Sequence, residues 1–108
     1  MSVVDTNILD GIAVSRDENK LILLISDHLD WVREHEHLLQ LQKKINSYLD
    51  FLEDKQFQSV YPDMEFNLYT IEIHFLHKPT ANCLKFIDAV RNQLSTLNIS
   101  IDAIVVDA

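Results

Sequence analysis

The chain has 108 residues, 47% of them apolar and 24% charged, and a formal charge of −8. That length suits one domain spanning residues 1–108, able to bury about two thirds of its unfolded surface; with one Gly and two Pro, collagen-like, low-complexity and disordered readings fall away. The nine Lys and Arg are scattered from Arg16 to Arg91 with only Lys43-Lys44 adjacent, so no basic stripe exists to displace counterions from phosphates, and nucleic acid is not expected as a partner.

The longest wholly aliphatic run, Leu21-Ile22-Leu23-Leu24-Ile25, is far short of the roughly 20 residues that span a bilayer. No membrane partner is expected. The opening MSVVDTN has neither a basic region nor an apolar stretch, so no secretory signal is read there. One cysteine, Cys83, cannot staple the chain to itself. Both features lead us to expect a cytoplasmic protein.

Residues 1–7 read as a lead-in. Ile8 to Val14 reads as a strand with Ile8, Asp10, Ile12 and Val14 on one face. Arg16 to Asn19 fits a hairpin loop in which Asn19 takes a positive φ. Lys20 to Ile25 is a second strand, apolar on both faces, which calls for cover on both sides from the domain or a partner subunit. The polar elbow Ser26-Asp27-His28-Leu29-Asp30-Trp31 follows and launches the longest helical pattern. Its start is expected between Asp30 and Glu34 and its end near Lys55, with Asp27 and Asp30 as N-caps and Glu34 and Glu36 at the positive helix end. Leu38, Leu41, Ile45, Tyr48 or Leu49, and Leu52 form its apolar stripe.

Pro62 turns the connection that follows. Leu68 to Leu76 alternates cleanly: Tyr69, Ile71, Ile73 and Phe75 on a packed face, Thr70, Glu72 and His74 on a wet one. Pro79 fits the first position of a second helix, striped by Cys83, Phe86 or Ile87, Val90, Leu94 and Leu97. Asn98 suits the left-handed residue beyond its end. Ile99 to Val106 closes the chain as a strand. The order ββαβαβ predicts an α+β two-layer sandwich, a four-stranded sheet with both helices on one face. Strand order and the sense of each pair stay open.

Leu24-Ile25-Ser26-Asp27-His28-Leu29-Asp30-Trp31, then Glu36-His37-Leu38-Leu39, then Gln42-Lys43-Lys44-Ile45-Asn46-Ser47-Tyr48-Leu49, with Tyr61-Pro62 later, resemble a family of small bacterial proteins known only as a domain of unknown function. The resemblance runs from Val4 to the last strand. It implies a compact bacterial domain and no particular chemistry.

Two constellations invite a chemical reading. Asp27, His28, Asp30, His35 and His37 fall within eleven residues, a donor set that suits zinc or another divalent ion. On a helix, however, His35 and His37 lie about 200° apart and cannot share an ion unless the helix begins after His37. The plainer reading has the two aspartates capping the helix and the histidines exposed or bonded to the backbone. Trp31 closes over the helix start as an apolar plug, or stands exposed as a binding anchor. Glu72 and His74 share the wet face of the third strand, as a general base and its orienting carboxylate would, but such a pair is commonly solvated surface. Cys83 sits on an apolar stripe as a core residue. No catalytic residue, metal ligand or cofactor is assigned. The candidate functional surface is Asp27, His28, Asp30, Trp31, Glu34, His35, His37, Glu72 and His74.

The expected role is a non-enzymatic module that binds another protein and acts as a homodimer, because the strand Leu21–Ile25 is apolar on both faces beside a sheet lacking a third layer. An immunity-type or inhibitor protein presenting carboxylates to a basic partner is one form of it. The alternative is a small metal-dependent hydrolase or ligand-binding protein using the Asp27-His28-Asp30 elbow. That reading requires a pocket where Asp27, His28 and a residue of His74's strand converge.

Overall fold

The computed structural model describes residues 2–106. Asn19 takes φ 51° and bonds its N–H back to the Arg16 carbonyl at 3.3 Å, closing a hairpin between β1 (Gly11–Ser15) and β2 (Lys20–Asp27). The expected start of β1 at Ile8 is corrected to Gly11. Asp10 leaves the ladder because its carboxylate accepts the Ser26 N–H at 2.8 Å while its own N–H donates to the Tyr48 hydroxyl at 2.9 Å. β2 runs two residues beyond Ile25, since a parallel neighbour pairs Ser26 with His74 and Asp27 with Phe75.

α1 spans Glu34–Glu53 and is followed by a 3-10 turn at Gln56–Ser59. The N-cap position falls to Arg33, with no side-chain cap. Asp27 and Asp30 therefore do not cap the helix. Their carboxylates accept the N–H groups of Leu29 and Val32, two residues on, at 3.1 and 3.2 Å, and so fix turns of the elbow instead. The helix stops where Lys55 turns left-handed at φ 54°. The buried face also departs from the expected stripe: His37, Leu41, Lys44, Ile45, Tyr48 and Leu52 are buried, while Leu38 and Leu49 pack at its flanks.

β3 (Leu68–Phe75), α2 (Ala81–Leu94) and β4 (Ile99–Val105) complete the order ββαβαβ. Pro79 lies two residues ahead of α2, not at its first position. The Thr80 hydroxyl takes the N-cap by accepting the Cys83 N–H at 3.1 Å, which displaces Pro79 outward. Asn98, past a short 3-10 turn, has φ 60° as expected.

The sheet order is β1-β2-β3-β4, antiparallel for the first pair and parallel for the next two. Both parallel crossovers step the same way across the sheet. Crossovers of one hand then lay both helices on the same side. Leu21, Leu23, Ile25, Ile71, Ile73, Phe75 and Ile101 point to that side and join Leu41, Ile45, Tyr48, Cys83 and Ile87 in one core. Each such side chain contributes roughly 1.5–3 kcal/mol of burial before entropy is subtracted. Among the described residues, the far side carries no layer. There Ala13, Ile22 and Leu24 are half-buried, and Leu24 reaches so close over Gly11 that a Cβ at that position would meet its side chain at 2.8 Å.

Candidate functional site

The elbow owes its geometry to the alternation of β2. Leu21, Leu23, Ile25 and Asp27 all face the helices, so the chain's turn into α1 begins from a carboxylate pointing into the core. Asp27 is 1% exposed and His37, in the first turn of α1, is 3% exposed. They meet with His37 Nε2 and Asp27 Oδ2 2.6 Å apart. The other ring nitrogen, Nδ1, lies 3.0 Å from the Asp30 carbonyl. A carbonyl can only accept, so Nδ1 carries a hydrogen, and the hydrogen between Nε2 and Oδ2 is held within the pair. Trp31 stacks on the imidazole at 3.7 Å between ring centroids and 21° between planes, and its indole N–H reaches the His77 carbonyl at 3.4 Å. The plug expected of Trp31 is therefore a lid over a histidine.

Asp30 joins this pair through its backbone carbonyl alone; the side chains of the remaining elbow residues do not. His28, Asp30 and His35 are exposed. Glu34 faces α2: hydrogen bonds from Thr80 and Asn82 hold its carboxyl below the usual range, the Asn82 contact being 3.0 Å. Cys83 is fully buried nearby; burial, then the charges of Asp27 and Glu34, push its thiol up to about 12. It is a core residue. Glu72 and His74 do meet, at 3.2 Å, but on the uncovered side of the sheet, flanked by Leu24 and Ser26 of β2 and by Asp102 and Ile104 of β4. Asp27, His28 and His74 consequently share no pocket. A shallow groove of about 450 Å³ passes the elbow between Val4, Val32, Arg33 and Gln40, with His37 at its floor. Among the described residues, no three His, Cys, Asp or Glu are placed to hold a metal ion.

A second buried polar cluster was not read from the sequence. Lys44 is 0% exposed; its ammonium donates to the carbonyls of Asp5 and Ile8 and pairs with Asp10 Oδ1 at 3.0 Å. Tyr48, one turn on, accepts from the Asp10 N–H and donates to the Leu24 carbonyl. Gln40 binds the Val3 carbonyl at 2.8 Å and the Thr6 hydroxyl at 3.0 Å. Residues 3–10 are thus sewn to α1 and β2 by side chains. The available signal was phase: Asp10 alternates with Ile12 and Val14, and His37 and Lys44 stand seven apart, in step with Leu41, Tyr48 and Leu52.

No helix among the described residues is long and apolar enough to cross a membrane. Residues 1–107 match a family of unknown function (DUF6572), and the chain belongs to that family. No curated protein and no solved structure matches it.

Proposed function

From within this family of unknown function, we propose that the chain is a non-enzymatic protein-binding module that acts as a homodimer in the cytoplasm. The observation that carries the reading is the sheet itself: among the described residues, four strands with helices on one side only, leaving Ile22 and Leu24 half-buried and Ile104 exposed on the other. Apolar surface of this kind, rimmed by polar groups, is what protein partners cover. The His37–Asp27 pair supports the same reading. Both ring nitrogens are engaged and buried, so the pair braces the elbow and offers no base to a substrate. A lone buried thiol, Cys83, accords with a reducing compartment.

Charge favours an inhibitor- or immunity-type role toward a basic partner. The chain carries −8 overall, and Glu72 and Asp102 lie side by side on the uncovered face, where their field attracts cationic surface. Sedimentation equilibrium tests the dimer directly. The expected result is a reversible dimer at micromolar concentration; a monomer throughout that range overturns the homodimer.

A further inference from the structure

We propose that β4 pairs antiparallel with β4 of a second copy of this chain, about a two-fold axis at Ile104. This names the surface for the homodimer proposed above and rests on that reading.

Backbone alternation shows which groups are available. Tyr69 donates its N–H to the Asn98 carbonyl at one end of the β3–β4 ladder, and Val106 donates to the Phe75 carbonyl at the other. Residues 98, 100, 102, 104 and 106 therefore face β3, and the N–H and C=O groups of Ile101, Ala103 and Val105 point off the open edge. Arg91 of α2 covers part of that edge: Nε and Nη2 both donate to the Ile101 carbonyl, at 3.2 and 2.9 Å. Among the described residues, Ala103 and Val105 have no such cover.

An exposed apolar edge is a template for another strand, and this one is apolar where it is open. Ile104 is 39% exposed, Val105 49% and Val106 42%. The opposite edge differs, since all five residues of β1 are half-buried.

The Arg91 cap selects the register. A two-fold centred on Ala103 would pair Ile101 with the partner's Val105 and demand the carbonyl that Arg91 holds. Centring on Ile104 sets no residue of 98–106 opposite Ile101, and within that span the cap stays in place. Ala103 then exchanges both backbone bonds with the partner's Val105, and Val105 with the partner's Ala103. Ile104 meets its own copy in the closer, non-hydrogen-bonded position on the uncovered face. Asp102 falls opposite the partner's Val106, so the two Asp102 carboxylates are kept apart. The two sheets merge into one of eight strands, and their uncovered sides form one surface.

Ile104→Cys tests the register. A non-hydrogen-bonded pair brings Cα atoms to about 4.5 Å, within disulfide reach, and native Cys83 is buried and does not compete. Mild oxidation of this variant should give a disulfide-linked dimer, and Leu24→Cys should not. Ala103→Pro removes an outward N–H without touching the β3 ladder and should weaken dimerisation by about tenfold or more. A monomeric wild-type protein would end the homodimer reading and this proposal together. A wild-type dimer that survives Ala103→Pro, with no cross-link through Ile104→Cys, overturns the edge pairing alone and leaves the homodimer standing. Dissociation by Leu24→Glu with an intact Ala103→Pro dimer would place the contact face to face.

Discussion

The buried face of α1 carries two polar clusters seven residues apart, and they do different jobs. At the elbow, His37 is satisfied by Asp27 and Asp30, residues ten and seven positions earlier, so the cluster is local and secures the turn that starts the helix. Lys44 instead gathers Asp5, Ile8 and Asp10, more than thirty positions away, and fastens a separate segment onto the fold. A buried charge is tolerated only where its partners are complete. The elbow meets that demand with one carboxylate and one carbonyl; the anchor needs one carboxylate and two carbonyls. A cation in the core is thus the more exacting solution, and it recruits a longer stretch of chain.

The comparison can be broken at either cluster. Lys44→Met leaves the Asp10 carboxylate buried without its cation and should lower unfolding free energy by about 3–5 kcal/mol, read from urea titration, with faster amide exchange at Val3 and Ser26. His37→Leu strands Asp27 in the same way, and a loss of about 2–4 kcal/mol is expected. Here the change in emission of Trp31, no longer stacked on imidazole, should accompany it, and exchange at Val3 should not move. Because about 10 Å of helix separates the two sites, the double variant should be additive within about 0.5 kcal/mol. A larger coupling would show one network rather than two.

Tyr48→Phe sharpens the anchor further. Losing the hydroxyl between the Asp10 N–H and the Leu24 carbonyl should lower stability by about 1–2 kcal/mol at neutral pH. Alkali adds a sign. Burial raises Tyr48 beyond the ordinary phenol range and Cys83 to about 12, so the unfolded chain gives up these protons first. Stability from both groups is complete below their ordinary values and falls as pH climbs from about 9. Urea midpoints against pH should show that decline, and Tyr48→Phe should flatten it. The smallest effect expected lies outside both clusters. Lys55→Gly relieves a left-handed non-glycine residue and should raise stability by about 0.5–1 kcal/mol.

Period carried most of the architecture into the sequence. The alternation of Tyr69, Ile71, Ile73 and Phe75, the hairpin at Asn19 and the stop at Asn98 all read correctly, because each depends on neighbours two to four residues away. What escaped was polar and long-range. Lys43-Lys44 looks like a solvated pair, and only a three-dimensional partner reveals that Lys44 points inward. Asp27 has the chemistry of a helix cap, yet a strand extended by its parallel neighbour turns it toward His37. Among the candidate residues, Asp27, Trp31 and His37 assemble with the Asp30 carbonyl, Glu72 and His74 assemble separately, and His28, His35 and the Asp30 carboxylate stay in water. Nothing in spacing alone distinguishes these outcomes.

The fastening of residues 3–10 also bears on the order of assembly. Residues 3–10 are synthesised before the groups that hold them: Val3 is fully enclosed, and yet the segment's contacts on Gln40 and Lys44 follow a third of the chain later. That strip must wait, uncommitted, until the long helix has formed to receive it, so nascent-chain protease protection at Val3 should appear late and all at once.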